Sequence, residues 1–275
     1  MRDSQCVAFL QWMLPRLQMR WRGFRKVRRQ VCKRIERRIR HLQFADVEAY
    51  RSFIETHAEE WDLLDTFCRI SISRFYRDRG VFDCLRDSIL PELAAQALAR
   101  GDKFVRCWSA GCASGEEVYS LKLIWEKCVA PQSHDVVLRV VATDSDRAML
   151  QRARRGCYRF SSLKELPRQW LSLAFKRDGE LFCIHDEYRA GIEFVLGDVR
   201  REMPEGPFDL ILCRNLVFTY FAEPFQREVL ARMIERLVPF GVLVTGKQES
   251  LPTGENCLQA FRPRTGIYRK TASSG

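Results

Sequence analysis

The stretch KFVRCWSAGCASGEEVYSLKLIWEKC, residues 103–128, carries the strongest indication of the fold. Its first part, KFVRCWSAG, is typical of a buried strand that runs into a glycine turn, and EEVYSLKLIWEKC has the spacing of an amphipathic helix. Gly111 and Gly115 frame the turn. A strand, a glycine-rich turn and a helix in this order are typical of parallel α/β sheets that bind nucleotide-like ligands.

The alternation of strands and helices continues to the end of the chain. Further apolar segments of strand length, separated by amphipathic segments, cover residues 136–144, 192–198, 208–215 and 241–249. Strands that alternate with helices predict an α/β fold built on a doubly wound parallel sheet. FRPRTGIYRK, residues 261–270, predicts a turn and an antiparallel edge strand.

Two segments depart from this alternation. Residues 1–74 have apolar residues at helical spacing and predict a basic all-helical domain, which leaves residues 75–275 as the α/β domain. A polar, mixed segment within residues 157–196 interrupts the strand–helix rhythm. We predict that it is an insertion into the α/β domain.

The net charge of +11 is concentrated near the N-terminus. Residues 1–50 contain thirteen lysines and arginines and four acidic residues, which gives +9 by difference, and most of this charge lies in residues 20–40. Such a run is either a solvated helical face or a surface for an acidic partner: a protein, a nucleic acid or lipid head groups. No apolar segment has the length of a membrane span, so we expect no membrane insertion.

The eleven cysteines are dispersed and include no CxxC pair. Metal sites and disulfide frameworks need clustered or regularly spaced cysteines, so we predict neither. Several cysteines, such as Cys213 in DLILCRN, lie inside apolar runs, where a thiol behaves as a small hydrophobic group. This usage fits a reducing cytoplasm best.

Polar motifs follow several of the predicted strands. These motifs are Gly111–Glu117, Asp144, Asp198 and Arg214–Asn215. Ligands of doubly wound sheets bind at the carboxyl ends of the strands, beside the point where the strand order reverses. The sequence therefore predicts one ligand site along this edge.

The loop of residues 111–117 has the glycines of a nucleotide loop but different electrostatics. A phosphate loop has a lysine near its end, where Glu116 and Glu117 stand here, and a dinucleotide fingerprint has a glycine in place of Ala113. Two carboxylates repel a pyrophosphate but suit S-adenosylmethionine (SAM), which carries a sulfonium, an ammonium and no phosphate. We predict that loop amides bind the SAM carboxylate and an acidic side chain its cationic end. Alternatively, the two glutamates only stabilise the start of a helix.

Other polar residues complete the predicted site. Asp144 is placed to accept the ribose hydroxyls, unless it caps the next helix, a role equally open to Ser145 and Asp146. Asp198 either accepts the adenine amino group or is a loop aspartate without a ligand. CRNLVFTYF, residues 213–221, suits a wall of the reaction pocket. It lacks the (N/D)PP(Y/F) signature, which counts against methyl transfer to a base nitrogen and so against a nucleic-acid substrate.

At these motifs the chain resembles the CheR-type chemoreceptor methyltransferases, which esterify glutamates of bacterial chemotaxis receptors. The resemblance covers nearly the full length, including RISISRFYRD (69–78), WSAGCASGEEVYS (108–120), ATD (142–144) and CRNLVFTYF. It implies a Rossmann-like methyltransferase domain with an inserted antiparallel β-subdomain, and SAM as cofactor with S-adenosyl-L-homocysteine as product. We also expect a cytoplasmic monomer without a metal, whose partner is an acidic helical segment of a receptor or another protein.

The resemblance implies roles for individual residues, with Arg77 and Tyr220 as the catalytic pair. The cofactor-binding positions are Ser71, Ser73, Arg77, Gly111, Gly115, Glu117, Asp144, Asp198, Val199, Arg214 and Asn215. Tyr220 follows the asparagine by one residue more than the family's usual spacing, so its register is open. Ser71 replaces the family's asparagine and Val118 its proline, and these departures leave the methyl acceptor open.

The chemistry that we expect needs no general base, because a glutamate carboxylate is ionised near neutral pH. The protein has mainly to bring the reactants together, with Arg77 holding one carboxylate oxygen and Tyr220 as a second donor. Otherwise, Arg77 is an exposed charge on a linker. We therefore expect a SAM-dependent protein-glutamate O-methyltransferase. Two alternatives stay open: a nucleic-acid methyltransferase that uses the basic N-terminal domain, and a non-catalytic SAM-binding signalling module.

Overall fold

The computed structural model describes residues 1–271. These residues form two compact units. The first unit comprises Met1–Ile70 together with Thr219–Gln226, and the second comprises Ser71–Phe218 and the chain from Arg227 onward. The division therefore falls after Ile70, a few residues before the boundary expected from the sequence, and a short segment from late in the chain belongs to the first unit.

The first unit is helical. Its helices are α1 (Asp3–Met13), α2 (Trp21–Phe24), α3 (Arg28–His41), α4 (Val47–Thr56) and α5 (Glu59–Phe67). In α3 the apolar residues Val31, Ile35 and Ile39 recur every four positions, share one face and are buried. Asp46 caps α4, because its carboxylate accepts hydrogen bonds from the first-turn amides of Glu48 and Ala49.

A buried carboxylate links three helices of the first unit. Glu60 on α5 is 3% exposed and accepts two hydrogen bonds of 2.8 Å from the guanidinium of Arg38 on α3. It also accepts one of 2.6 Å from the Tyr50 hydroxyl on α4. The hydrogen bonds from Arg38 lower the pKa of Glu60 despite its burial, and burial raises the pKa of Tyr50. The carboxylate is therefore ionised in the folded unit at neutral pH.

The second unit is built on a seven-stranded sheet. In chain order the strands of this unit are β1 (Phe104–Ala110), β2 (Val137–Asp144), β3 (Cys157–Arg159), β4 (Phe175–Asp178), β5 (Leu181–Ile184), β6 (Ile192–Leu196), β7 (Phe208–Cys213), β8 (Leu237–Thr245), β9 (Leu258–Ala260) and β10 (Ile267–Lys270). The large sheet has the order β6-β2-β1-β7-β8-β10-β9. Its first five strands are parallel, and β10 pairs antiparallel with β8 and β9. The predicted doubly wound fold is confirmed, and its strand order reverses between β1 and β7.

Helices separate most of the parallel strands. Those after α5 are α6 (Arg79–Cys84), α7 (Leu90–Ala99), α8 (Glu116–Ile124), α9 (Arg147–Arg155), α10 (Phe160–Leu163), α11 (Arg168–Ala174), α12 (Val217–Tyr220) and α13 (Glu223–Glu235). Helix α8 is buried over most of its length, which its apolar side chains Val118, Leu121 and Ile124 explain. Because α8 begins directly after the β1 loop, this packing fixes the loop between two buried elements.

A separate three-stranded antiparallel sheet with the order β3-β5-β4 occupies residues 157–184. It is the small β-subdomain that the family resemblance implies. It is inserted in the chain between β2 and β6, which pair directly with each other in the large sheet. Residues 192–196, at the end of the predicted insertion, form β6 and pair with β2 in the large sheet.

The prediction that the cysteines form no disulfides is wrong for two pairs. Cys6 on α1 is bonded to Cys32 on α3, and Cys157 is bonded to its cross-strand neighbour Cys183. Each pair is separated by 26 residues in the chain. Helix packing and strand pairing bring these thiols together, so their spacing in the sequence does not reveal them. Cys213 is free and fully buried in β7, as its apolar surroundings suggested.

Candidate active site

The loop between β1 and α8 adopts backbone conformations that favour glycine. Gly111 and Gly115 have φ of +74° and +88°. A Cβ on Gly111 would lie 2.6 Å from Cδ2 of Leu216, so a side chain there would have to displace Leu216 as well as adopt a positive φ. Ala113, which replaces the glycine of a dinucleotide fingerprint, also has a positive φ, of +48°. At residue 113 the backbone therefore has the positive φ of a glycine position, although the residue there is alanine.

The amides of this loop are mostly used inside the protein. Gly111 N and Cys112 N both donate to Thr143 O, at 2.8 and 3.0 Å, and Gly115 N donates to Cys112 O. The Ala113 amide donates to the Asp144 carboxylate at 2.8 Å. These four amides already have partners inside the protein, and the binding of the cofactor carboxylate by loop amides stays a prediction. The amides of Gly111 and Cys112 continue the pairing of β1 with β2 past the end of β1.

The two glutamates of the loop have different partners. Glu116 is buried and accepts hydrogen bonds of 3.0 and 2.9 Å from the Ser114 hydroxyl, which fits a role at the start of α8. Glu117 accepts from Ser109 at 3.0 Å and from Nη1 of Arg214 at 2.9 Å. Glu117 is thus the glutamate that the structure joins to another predicted site residue.

Arg214 is the centre of a buried hydrogen-bond network at the end of β7. Its side chain is 2% exposed, and Nη2 donates to the Asp78 carboxylate and to the Arg77 carbonyl, both at 2.9 Å. With Nη1 on Glu117, the guanidinium connects three separate segments. Within the described chain its Nε has no hydrogen-bond partner. Two carboxylates share this one guanidinium, so the cluster keeps an excess negative charge.

The segment before α6 carries the predicted residues Ser71, Ser73 and Arg77. It is irregular, and Arg77 is half-buried with Nη1 donating to the Ile72 carbonyl at 2.7 Å. Asp78, directly after Arg77, has a φ of +63°. Arg214 binds the Arg77 carbonyl, the Asp78 carboxylate and Glu117 of the loop of residues 111–117, which we call the cofactor loop. The backbone at Arg77 is therefore fixed beside this loop.

Asp144 at the end of β2 is bound to the same loop. Its Oδ2 accepts from Ala113 N, and its Oδ1 accepts from Asp146 N at 2.8 Å. Asp146, not Asp144, caps α9, since its own carboxylate accepts from the amides of Ala148 and Met149. Asp144 is therefore free of the capping role that the sequence left open.

Asp198 follows β6, the next strand along the sheet from β2. Its carboxylate is paired with the guanidinium of Arg200 at 2.6 Å and also accepts from the Arg200 amide at 3.0 Å. Val199 is buried between them. An adenine amino group at this position would share Asp198 with Arg200.

The thiols near these strand ends are protonated. Burial raises the pKa of Cys112 well above its ordinary value, and the negative charges of Asp144 and Glu117 raise it further. Burial likewise raises the pKa values of Cys107 and Cys213. A thiolate nucleophile at this edge is therefore disfavoured at neutral pH.

Residues 71–267 match the family model described as CheR methyltransferase, SAM binding domain. The chain belongs to the CheR methyltransferase family. It is 35% identical over 192 residues to a chemotaxis protein methyltransferase of Listeria monocytogenes, across 69% of this chain and 70% of that protein. It is 32% identical over 231 residues to the chemotaxis protein methyltransferase of Escherichia coli K12, across 80% and 76% of the two chains.

Structural similarity to individual solved methyltransferases is low. The N-methyltransferase NodS from Bradyrhizobium japonicum, solved with S-adenosyl-L-homocysteine, aligns with a TM-score of 0.32 and 18% identity over 58% of this chain and 63% of that chain. A likeness of this size adds nothing to the family assignment. Membership of the CheR family confirms that the chain is a SAM-dependent methyltransferase.

The side chains of this CheR methyltransferase fit SAM. Glu117, Asp144 and Asp198 are acidic groups at the ends of neighbouring strands, and residues 111–117 contain no lysine. Carboxylates suit a sulfonium, an ammonium, ribose hydroxyls and an adenine amino group, whereas a phosphate would need a cation here.

Tyr220 belongs to the first unit, in the segment Thr219–Gln226. Its ring packs against Phe24 with the ring centroids 4.9 Å apart, and its carbonyl accepts from Arg20 N at 2.8 Å. Its catalytic role stays a prediction, as do the roles of the individual cofactor-binding residues.

Sequence analysis missed three side chains that hold the site together: Ser109, Asp78 and Glu249. Ser109 lies inside a buried strand, and from the sequence Asp78 is a candidate for the start of a helix, with no role in the site. Glu249 follows β8, where GKQES shows a glycine turn with a carboxylate three residues later. The position of GKQES at a parallel strand end was the available signal for Glu249.

Metal binding and membrane insertion were both expected to be absent. In residues 1–271, no three His, Cys, Asp or Glu side chains come together in a group able to hold a metal ion. Over the same residues, no helix combines the length and the apolar character needed to cross a membrane.

Proposed function

We propose that this CheR methyltransferase esterifies glutamate side chains on an acidic helical segment of a chemotaxis receptor. The observation that carries the proposal is the attachment of Arg77 to the cofactor loop. Arg214 donates to the Arg77 carbonyl and to Glu117, so a single guanidinium joins the Arg77 backbone to the loop. Arg77 is thus a cationic side chain on a fixed backbone beside the predicted methyl donor.

The proposed mechanism relies on position and charge. SAM would supply, when bound, a methyl group whose carbon a carboxylate oxygen can attack, with the C–S bond breaking and S-adenosyl-L-homocysteine as the leaving group. Glu117 and Asp144 give the loop the negative charge that suits this cation. Arg77 binds one oxygen of the acceptor carboxylate and leaves the other free to react. Because the acceptor is already ionised near neutral pH, no residue has to remove a proton.

An exposed basic stripe on α3 supports an acidic partner. Arg29, Lys33 and Arg37 are spaced four residues apart, are exposed and lie on the same side of the helix. The buried residues of α3 lie on the other side. A stripe of cations at this spacing matches a row of carboxylates on a partner helix. Because the relatives are named chemotaxis protein methyltransferases, we propose a chemotaxis receptor as the partner.

The proposal is tested by the chemistry of the product. The protein is incubated with methyl-labelled SAM and receptor-containing membranes, and the label is then exposed to mild base. Glutamyl methyl esters release volatile labelled methanol, and mass spectrometry locates the esters on glutamates. Base-stable label on nucleic acid, or cofactor binding without any labelled acceptor, would contradict the proposal. R77A serves as the variant that binds cofactor but should leave receptors unlabelled.

We further propose that the protein acts as a cytoplasmic monomer. The support is the proposed acceptor, because a receptor helix that reaches the stripe on α3 needs an enzyme free to approach it. Light scattering on the purified chain measures the oligomeric state, and cell fractionation measures the location. A stable dimer, or a purely extracellular protein, would contradict this part of the proposal.

A further inference from the structure

Glu249 joins the ends of two neighbouring parallel strands. Its Oε2 accepts the amide of Asn215 at 2.8 Å and the amide of Gly246 at 2.6 Å. Asn215 follows β7 and Gly246 follows β8, and these strands pair side by side up to Cys213 and Thr245. One carboxylate oxygen therefore fixes the backbone just beyond both strands, at the edge where the cofactor binds.

The backbone at Asn215 needs such support. Its φ is +56°, in the left-handed region, which asparagine tolerates better than most residues with a side chain but still at some cost relative to glycine. The hydrogen bond from the Asn215 amide to Oε2 of Glu249 can offset part of that cost. Gly246 contributes by having no side chain, since a Cβ there would lie 2.5 Å from Nδ2 of Asn215. The conformation of Asn215 is thus determined from two sides.

The effect of this clamp extends to the cofactor loop. The residue after Asn215 is Leu216, whose side chain packs directly over Gly111. Asn215 and Leu216 are adjacent, so a change in the left-handed turn at Asn215 would move Leu216 relative to Gly111. Glu249 is therefore coupled through two residues to the first glycine of the loop.

We propose that Glu249 is a positioning residue of the cofactor site. It holds Asn215 and Leu216 in the arrangement that binds SAM. The length of its side chain places one acceptor oxygen between the amides of Asn215 and Gly246, and it does not touch the reacting atoms. The inference rests on the placement of Asn215 in the cofactor site, which is part of the proposed function. It does not depend on the identity of the methyl acceptor.

Three substitutions of Glu249 separate the effect of side-chain length from the effect of the negative charge. E249Q keeps the length of the side chain and one oxygen that can accept both amides, but it removes the charge. E249D keeps the charge and shortens the side chain by one methylene, so it cannot reach both amides. E249A removes the acceptor. The matched control is E255A, because the Glu255 carboxylate accepts a local amide, that of Cys257, at 2.8 Å.

The readout is the affinity for S-adenosyl-L-homocysteine by titration calorimetry, with the melting temperature measured in parallel. We expect E249A and E249D to bind about tenfold or more weakly, while E249Q and E255A stay within about threefold of the unmodified protein. With SAM as substrate, KM should rise more than kcat falls. Because no acceptor enters the binding assay, a failure of glutamate esterification would leave this result unchanged.

Several results would overturn the assignment of Glu249. It is wrong if E249A binds within twofold of the unmodified protein, or if only the melting temperature falls. It is equally wrong if E249Q loses as much affinity as E249A, because a neutral acceptor of the same length would then fail to preserve the site. If E249A does not fold, the comparison of E249D with E249Q decides on its own.

Discussion

Arg214 and Glu117 are 97 residues apart in the chain and form a buried ion pair with 2.9 Å between Nη1 and Oε2. The pair connects the end of β7 to the start of α8 across the point where the strand order reverses. The same guanidinium binds Asp78 and the Arg77 carbonyl. Arg214, predicted as a cofactor contact, thus also organises the residues around the cofactor.

Replacing Arg214 with lysine should destabilise the protein. A single ammonium cannot reach Glu117, Asp78 and the Arg77 carbonyl at once, so at least one buried acceptor loses its donor. We expect R214K to lose about 1–3 kcal/mol of unfolding free energy, measured by urea unfolding. R152K, on the exposed face of α9, is the control and should change little. A fully stable R214K would show that the network is not needed.

Replacing Arg77 should separate binding from turnover. R77A removes the guanidinium proposed to hold the acceptor carboxylate, while the backbone carbonyl that Arg214 binds remains. We expect the affinity for S-adenosyl-L-homocysteine to change by less than about tenfold and turnover to fall by about 100-fold or more. R74A is the matched control, because Arg74 lies on the same segment and pairs with Glu165 at 3.1 Å. An unchanged rate in R77A would exclude the role.

The parallel sheet was predictable because it depends on local patterns. Strand-length apolar runs predicted the strands, and polar residues after them predicted which side chains lie at the carboxyl ends of the strands. The partners of Arg214 were not predictable in this way. The pairing of Glu117 with Arg214, and that of Glu249 with Asn215, depends on which strands become neighbours, and local spacing does not encode strand order.

The conformation of Ala113 and the pairing of the cysteines show the same limit. A positive φ at an alanine is set by tertiary contacts, here including the hydrogen bond from its amide to Asp144, whereas a glycine at this position would have indicated it from the sequence. Cys157 and Cys183 meet only because β3 and β5 pair in one register. In both cases the decisive contact is non-local.

Charge reversal on the basic stripe of α3 should weaken acceptor recognition alone. We expect K33E/R37E to lower kcat/KM for the receptor substrate about tenfold at low ionic strength, because steering between opposite charges is lost. The difference should shrink at high salt, where screening removes steering in both proteins. Affinity for S-adenosyl-L-homocysteine should not change. A control with exposed charges of the second unit reversed, K103E/R152E, should retain full activity, and an equal loss there would argue against the stripe.

Glu60 should make the stability of the first unit depend on pH. Its pKa is lowered from the ordinary value of 4.5, chiefly by the hydrogen bonds from Arg38. A carboxyl group whose pKa is lower in the folded than in the unfolded protein stabilises the fold at pH values above its unfolded pKa. That stabilisation is lost as the pH falls through its folded pKa. We expect E60Q to cost about 1–3 kcal/mol at neutral pH and progressively less below the value of 4.5. Urea unfolding across this range measures the difference, with E48Q on the exposed side of α4 as control. A cost that does not change with pH would contradict the assignment.

Replacing Ala113 with glycine should stabilise the protein. Ala113 has a φ of +48°, a conformation that costs an alanine about 1–2 kcal/mol and a glycine almost nothing. Glycine loses about 0.5–1 kcal/mol of this advantage through its greater freedom in the unfolded chain. We therefore expect A113G to gain about 0.5–1 kcal/mol by urea unfolding. The amide that binds Asp144 is retained, so the affinity for S-adenosyl-L-homocysteine should stay within about twofold. The same substitution at exposed Ala148 in α9 should have the opposite sign, because φ there is helical. If A113G destabilises the protein as A148G does, the loop does not hold residue 113 in the left-handed conformation.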